Sequence, residues 1–246
     1  MTLIFAGYET TATVIAWALH ELALNPAHQE ALRNEVSASG SEPTFEELHS
    51  GLPFLDAVVN ETLRVHPVFS QVHREASEDT LVPLTPLPKS SYTHPCGVSP
   101  VQSTHLFIPR GTIILFPVNV MQSAEDVWGA DAHVWDPRRW SDIGRKESRE
   151  KRPDWRREIL IFSTGCVFNH IRGVDIMLTL GVFRARGCIG RKFAMLEMKA
   201  VLATLVRQFV FSPAEEIEPM LSFVVRPRVK GEHKSSLPLK VSKVVF

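Results

Sequence analysis

Ala185-Arg186-Gly187-Cys188-Ile189-Gly190 runs straight into a stretch of helical spacing from Arg191 to about Phe209, and this junction constrains the fold more than any other segment. Phe193, Leu196, Met198, Leu202, Leu205 and Val206 give that helix a broad apolar face, so it is expected to be deeply buried. Its N-terminus then holds Cys188 at a fixed place. Gly187 and Gly190 let backbone N–H groups approach the sulfur, while the positive end of the helix and Arg186 favour the thiolate. A sulfur held this way is a soft ligand suited to iron.

The chain has 246 residues and 44% hydrophobic content, enough for one large core or two small ones. Lys+Arg and Asp+Glu balance at 27 each, so no overall field draws it to nucleic acid, and nucleic-acid binding is not expected. Three cysteines, Cys96, Cys166 and Cys188, contain no CxxC pair. Neither a secreted disulfide framework nor structural zinc is expected, and a reducing compartment fits. The apolar opening segment to Leu19 contains Glu9. A carboxylate near the centre of a membrane span costs roughly 2.5–3.5 kcal/mol, so this segment is expected to be a core helix and no membrane anchor is expected within these 246 residues.

A first helix is predicted from Thr2 to Leu24, followed by Asn25 as N-cap and Pro26 at the first position of a second helix through Val36. Thr44-Phe45-Glu46-Glu47 has the form of a capping box for a short helix that Gly51 closes. A third helix is predicted from Pro53 to His66, ended by Pro67. Short strands then follow at Thr80–Leu84, and at Leu106–Pro109 and Thr112–Val118 about an Arg110-Gly111 turn. The stretch from Thr85 to Thr104 reads as a surface loop. That from Arg138 to Glu158, with nine basic and five acidic residues, reads as a solvated surface or a docking patch for an acidic protein. Beyond Pro213, strands are expected at Leu221–Val225 and Leu237–Val245, separated by a turn at Lys230 to Lys234. The fold class is mainly α with small β-sheets.

Ala6-Gly7-Tyr8-Glu9-Thr10-Thr11 places glycine and two threonines inside the first helix, where better helix formers would serve. Gly alone costs about 1 kcal/mol there. Two readings stand: a local widening that admits a small ligand, with Glu9 and Thr10 as proton relay, or a close helix crossing at Gly7. Glu61 and Arg64 share one helix face at a spacing of three and can pair. Arg139, in Trp135-Asp136-Pro137-Arg138-Arg139-Trp140, supplies a second guanidinium, so the carboxylate can be buried with every charge partnered. Arg74 begins the segment after that helix.

Taken in order, these motifs resemble the C-terminal half of the cytochrome P-450 superfamily of haem-thiolate monooxygenases, of the eukaryotic, fungal microsomal type. The resemblance covers essentially the whole chain. It implies that Cys188 is the axial ligand of haem b, that Ala6 and Gly7 line the oxygen groove, and that Glu9 and Thr10 are the acid–alcohol pair. Phe162, Gly165 and Gly190 belong to the haem loop by the same resemblance, Arg74 and Arg186 are candidates to pair with the propionates, and Glu61, Arg64 and Arg139 form the structural triad. The implied partners are dioxygen, an apolar small-molecule substrate, and a flavoprotein reductase passing electrons from NADPH. Substrate is expected at Leu3 to Phe5, Val68 to Val72 and the turn near Lys230 to Lys234. The implied location of the full-length parent is the cytosolic face of the endoplasmic reticulum membrane, held by an N-terminal segment.

Two departures from the family pattern stand out. The chain starts inside the oxygen-groove helix, so an upstream half is expected to precede it. Phe162-Ser163-Thr164-Gly165 is also separated from Ala185-Arg186-Gly187-Cys188 by nineteen residues, Cys166 through Arg184. Removing them restores the family loop, and a whole number of codons with plausible splice borders makes this segment a retained intron by expectation. Cys166 and His170 within it, spaced C-x-x-x-H, are not expected to form a metal site, because no second ligand pair accompanies them. The rival readings are a truncated, inactive product of a decayed gene, and a helical interaction module without haem.

Overall fold

The computed structural model describes residues 2–38, 40–83, 105–140, 162 and 188–244. The loop from Thr85 to Thr104, the basic stretch from residue 141 on, the insertion at 166–184, Gly165 and Arg186 lie outside these residues. The chain divides into two compact units: the ribbon 72–116 and Phe162 belong to the second, and the remaining described residues to the first.

Helix α1 spans Thr2–Leu24, and its buried stripe of Val14, Trp17, Ala18 and Leu22 follows helical periodicity. Helix α2, Pro26–Ser37, opens with Pro26 as expected. Asn25 does not cap it with its side chain. Its Nδ2 donates back to the Glu21 carbonyl at 2.9 Å, closing the last turn of α1, while its own carbonyl accepts from His28 and Gln29. The predicted capping box is formed reciprocally: Thr44 N–H donates to Glu47 Oε2 at 2.8 Å and Glu47 N–H to Thr44 Oγ1 at 3.3 Å. The turn it opens is π-helical over Glu47–Gly51.

Helix α3, Pro53–Val65, is capped from a distance by Glu35 of α2, whose carboxylate accepts the Phe54 and Leu55 amides at 2.8 Å each. Short helices α4, Val118–Gln122, and α5, Glu125–Trp128, lead to a 3-10 turn at Pro137–Trp140. Helix α6, Arg191–Gln208, packs on α1, α2 and α3. Only its later turns are buried, through Met198, Leu202, Ala203 and Val206, whereas Phe193 is 70% exposed. Deep burial of the whole helix was the expectation; the partner helices cover its second half. Lys199 fixes that half, its Nζ lying 2.5 Å from Asp56 and donating to the Leu48 carbonyl. At the far end Arg33 donates to the Val206 and Phe209 carbonyls, satisfying groups the helix leaves open.

In the second unit, β1 (Val72–Glu75) pairs antiparallel with β4 (Ile113–Phe116), and β2 (Thr80–Pro83) with β3 (His105–Ile108). Both pairs keep one register, so this is a single ribbon. The expected Arg110-Gly111 hairpin is instead a kink within it. Gly111, at φ 83°, donates its amide to Ala76, and Thr112 and Ala76 continue the pairing. A left-handed residue bends one strand here without reversing it. Ala76, Val82 and Ile108 form the ribbon's small core.

After α6, β5 (Phe209–Pro213) pairs with β8 (Leu239–Lys243) and β6 (Ile217–Met220) with β7 (Arg226–Val229). Leu221–Val225, expected as a strand, is the turn between β6 and β7. The backbone of Val225 is satisfied elsewhere: its amide donates to the Val68 carbonyl, and its carbonyl accepts the Trp17 indole N–H.

A buried histidine, His20, and a half-buried one, His28, are expected to make stability pH-dependent. Burial pushes the His20 imidazole below its ordinary 6.5, with Glu21 opposing and His66 adding to the push. Burial does the same to His28, with Asp136 opposing and Arg138 adding. The unfolded chain therefore takes up protons before the native one, so stability is full above about pH 6.5 and falls as pH drops below it. Urea midpoints at about pH 7.5 and about pH 5.5 should show the loss, and His20→Phe should narrow the gap. An unchanged gap in that variant would remove His20 from the explanation.

Candidate functional site

Glu61 and Arg64 are brought to one side of α3 by their spacing of three, and both side chains are 0% exposed. Arg64 forks onto the carboxylate, with Nε 2.8 Å from Oε2 and Nη2 2.7 Å from Oε1. Its remaining N–H groups donate to the Gln122, Ala132 and Val134 carbonyls, and the guanidinium lies 5.0 Å from the Trp128 ring centroid. Arg139, carried in by the Pro137–Trp140 turn, donates to Glu61 Oε1 at 3.3 Å and to the Trp128 carbonyl, and pairs with Asp131 at 2.8 Å. Burial pushes this guanidinium down, but Asp131 and Glu61 outweigh it and hold the group above its ordinary value.

The structure thus assembles the three residues that the sequence singled out. It adds two that the sequence did not. Trp140 donates Nε1–H to Glu61 Oε2 at 2.8 Å, and the Asp136 amide donates to Oε1 at 3.1 Å. The repeated tryptophan of the Trp135–Trp140 segment was the available signal: Trp135 donates to Thr62 Oγ1 and Trp140 to Glu61, one turn of α3 read by two indoles. A carboxylate accepting five donors while shut off from solvent has no capacity left for substrate, so its work is to lock α3 to the loop.

At the start of α6, Cys188 is a free, exposed thiol. Its carbonyl accepts the Arg191 amide at 3.2 Å, and that of Gly190 accepts the Ala194 amide at 2.8 Å. A Cβ at Gly190 would stand 3.9 Å from the Cys188 sulfur, an ordinary contact, so clearance does not require glycine at that position. Ile189, which follows it in the chain, is 89% exposed, and Phe193 in the first turn of α6 is 70% exposed. Among the described residues no group of three or more His, Cys, Asp or Glu could hold a metal.

On α1, a Cβ at Gly7 would meet nothing within 4 Å, so no described segment crosses the helix there and the crossing reading loses its support. Ala6 is exposed beside it. No turn of α1 is interrupted; instead the Thr10 hydroxyl donates to the Ala6 carbonyl at 2.6 Å and Thr13 to Glu9 at 2.8 Å. Glu9 is paired with Arg226 of β7, Nε to Oε1 at 2.6 Å. Arg226 carries no local sequence signal. Arg74 lies on β1 of the second unit, opposite Ile114, and donates to the His73 carbonyl; Phe162 is buried in that same unit.

A further surface joins two segments of the first unit. The ring of Phe69, just after α3, lies 5.1 Å from that of Phe223 in the β6–β7 turn. The turn brought to Val68 and Phe69 is Leu221–Val225; the turn at Lys230 to Lys234, expected at the ligand, follows β7. Lys230 on that turn pairs with Glu216 at 2.6 Å.

Comparison with known proteins places these features. A family model described as Cytochrome P450 matches residues 1–99 and 185–235. The cytochrome P450 monooxygenase claQ of Ampulloclitocybe clavipes is 35% identical over 251 residues, covering 98% of this chain and 42% of that protein. Cytochrome P450 monooxygenase 81 of Postia placenta is 33% identical over 245 residues, covering 98% of this chain and 40% of its own length. A crystal structure of a cytochrome P450 (CYP102L1) superposes with a TM-score of 0.67 at 25% identity, covering 99% of this chain and 44% of that one. The chain spans about two-fifths of the curated relatives it matches.

Proposed function

Since the chain belongs to the cytochrome P450 family and has its mainly helical fold with small antiparallel sheets, we propose that its full-length parent is a haem-dependent monooxygenase. It inserts one oxygen atom from dioxygen into an apolar small organic substrate, with electrons from NADPH passed by a flavoprotein reductase. The observation that carries this reading is the free, exposed Cys188 thiol at the head of α6, next to the exposed apolar Ile189. One soft sulfur on an apolar surface fits a metal carried in its own flat, apolar ring. Haem b, when bound there, supplies an iron whose thiolate ligand favours O–O cleavage.

The chain's own residues then have distinct tasks. Cys188 holds the cofactor, with Gly190 following it at the head of α6; the resemblance to the family, and not the geometry, assigns Phe162 and Gly165 to the haem loop and Arg74 and Arg186 to the propionates. Ala6 and Gly7 leave room at the open face of α1. Thr10 Oγ1, parked on the Ala6 carbonyl, and the Glu9 carboxylate, parked on Arg226, are the groups that hand on protons once released. Substrate meets Leu3 to Phe5, Val68 to Val72 and the exposed side chains of Leu221 and Phe223. The parent works at the cytosolic face of the endoplasmic reticulum membrane; among the described residues no helix is long and apolar enough to cross a bilayer.

The test is oxygen-18 incorporation by the full-length parent with its reductase. One labelled atom in the product per turnover supports the proposal, and unlabelled product sinks it. For the 246 residues by themselves we propose no turnover, because Ile4, Tyr8, Ile189 and Phe193 lie open to water. The reduced carbon monoxide difference spectrum of this chain should lack the red-shifted Soret band; its presence would overturn that view. Residues 166–184 we propose to be a retained intron, which a spliced transcript still encoding them would refute.

A further inference from the structure

The β6–β7 turn is fastened to α1 at two adjacent residues. The Val225 carbonyl accepts Trp17 Nε1–H at 2.9 Å, and Arg226 reaches Glu9 at 2.6 Å. Glu9 and Trp17 are eight residues apart, about 12 Å along the helix. On its other side Val225 donates its amide to the Val68 carbonyl at 2.8 Å. Val68 follows His66, whose ring stacks on Trp17 at a centroid distance of 4.1 Å and an interplanar angle of 4°, and whose Nε2 lies 2.6 Å from Glu21 of α1. One indole therefore grips both segments, the turn through its N–H and the chain after α3 through its face.

We propose that Trp17 is a positioning residue that sets the spacing between Val68–Phe69 and the turn Leu221–Val225, and through it the shape of ligand that this wall accepts. The ligand part rests on the function proposed above; the positioning part does not. Trp17, Val68 and Val225 are buried at 2%, 3% and 9% exposure, whereas Phe223 is 83% exposed. The base is fixed and the tip is free. Phe69 and Phe223 are carried by neighbours of the Val68–Val225 hydrogen bond, so any lengthening of that bond separates their rings. Without the indole N–H the buried Val225 carbonyl is left unpaired, and local opening of the turn becomes easier. Trp17 acts through the backbone and touches no ligand.

The test compares Trp17→Phe with benzothienylalanine at position 17, which keeps the bicyclic ring and removes only the donor. Leu22→Ala, at a fully buried site on the same helix, controls for general loss of stability. Amide exchange of the 246-residue chain should quicken about tenfold at Val225 and its neighbours in both position-17 variants and not selectively in the control. Uniform acceleration, or none in the benzothienylalanine protein, overturns the proposal. In the full-length parent, the ratio of dissociation constants for phenylimidazole and imidazole should shift at least about fivefold on the same substitution, the carbon monoxide band being unchanged. A wild-type parent without that band defeats the proposed function, while the exchange result still decides the role of Trp17.

Discussion

Glu61→Gln is expected to destabilise the fold by about 3–5 kcal/mol, the range for breaking a fully buried ion pair from one side. Glutamine keeps the shape of the side chain and removes its charge. Arg64 and Arg139 then remain in the interior facing an amide that can accept but no longer neutralise, and one of its two ends now presents N–H groups to donors. Arg64 at 1% exposure has no route to water without unpacking Trp128, Gln122 and the Ala132–Val134 segment. Urea denaturation should show the midpoint move with the slope nearly constant. Adding Arg64→Met to Glu61→Gln should cost less than the two single changes summed, because the second removes a charge that the first has stranded. A loss below about 1 kcal/mol for Glu61→Gln would mean that the carboxylate is not carrying the two guanidinium charges.

Cys188→Ser should have the opposite profile. The side chain is exposed and makes no packing contribution to the helix core, so folding stability should stay within about 0.5 kcal/mol of the parent value. Function should be lost almost entirely. A serine hydroxyl is a hard, poorly ionised ligand, and the electron donation that a thiolate gives to iron disappears with it. In the full-length parent the carbon monoxide complex should lose its red-shifted Soret band, and oxygen-18 incorporation should fall to background. Retained activity in the serine variant would place the metal elsewhere.

Local chemistry made much of the architecture legible. Pro26 and Pro53 open helices where a missing N–H costs nothing, Pro67 ends one, and Thr44 with Glu47 closes its reciprocal cap within four residues of chain. Such features need no partner from afar. The Arg110-Gly111 kink did need one: a positive-φ glycine permits both a hairpin reversal and a bend, and the unbroken register of β1 and β2 against β4 and β3 selects the bend. The same holds for Leu221–Val225. Its apolar composition favours a strand, yet Val68 and Trp17 take the hydrogen bonds of Val225 that a ladder would have used.

At the site, residue types and spacing alone pointed to Cys188, to Glu61 with Arg64 and Arg139, and to the glycine-threonine stretch of α1, because each is a short pattern whose chemistry is carried by adjacent side chains. Folding decided their partners. Glu61 gained Trp140 and the Asp136 amide, and Glu9 gained Arg226 from the far end of the chain. Phe69 gained Phe223 from the β6–β7 turn. A helix face or a cap is fixed by energies within a few residues, whereas the choice of which distant donor meets a buried acceptor depends on how the whole core closes, and no stretch of sequence contains that information by itself.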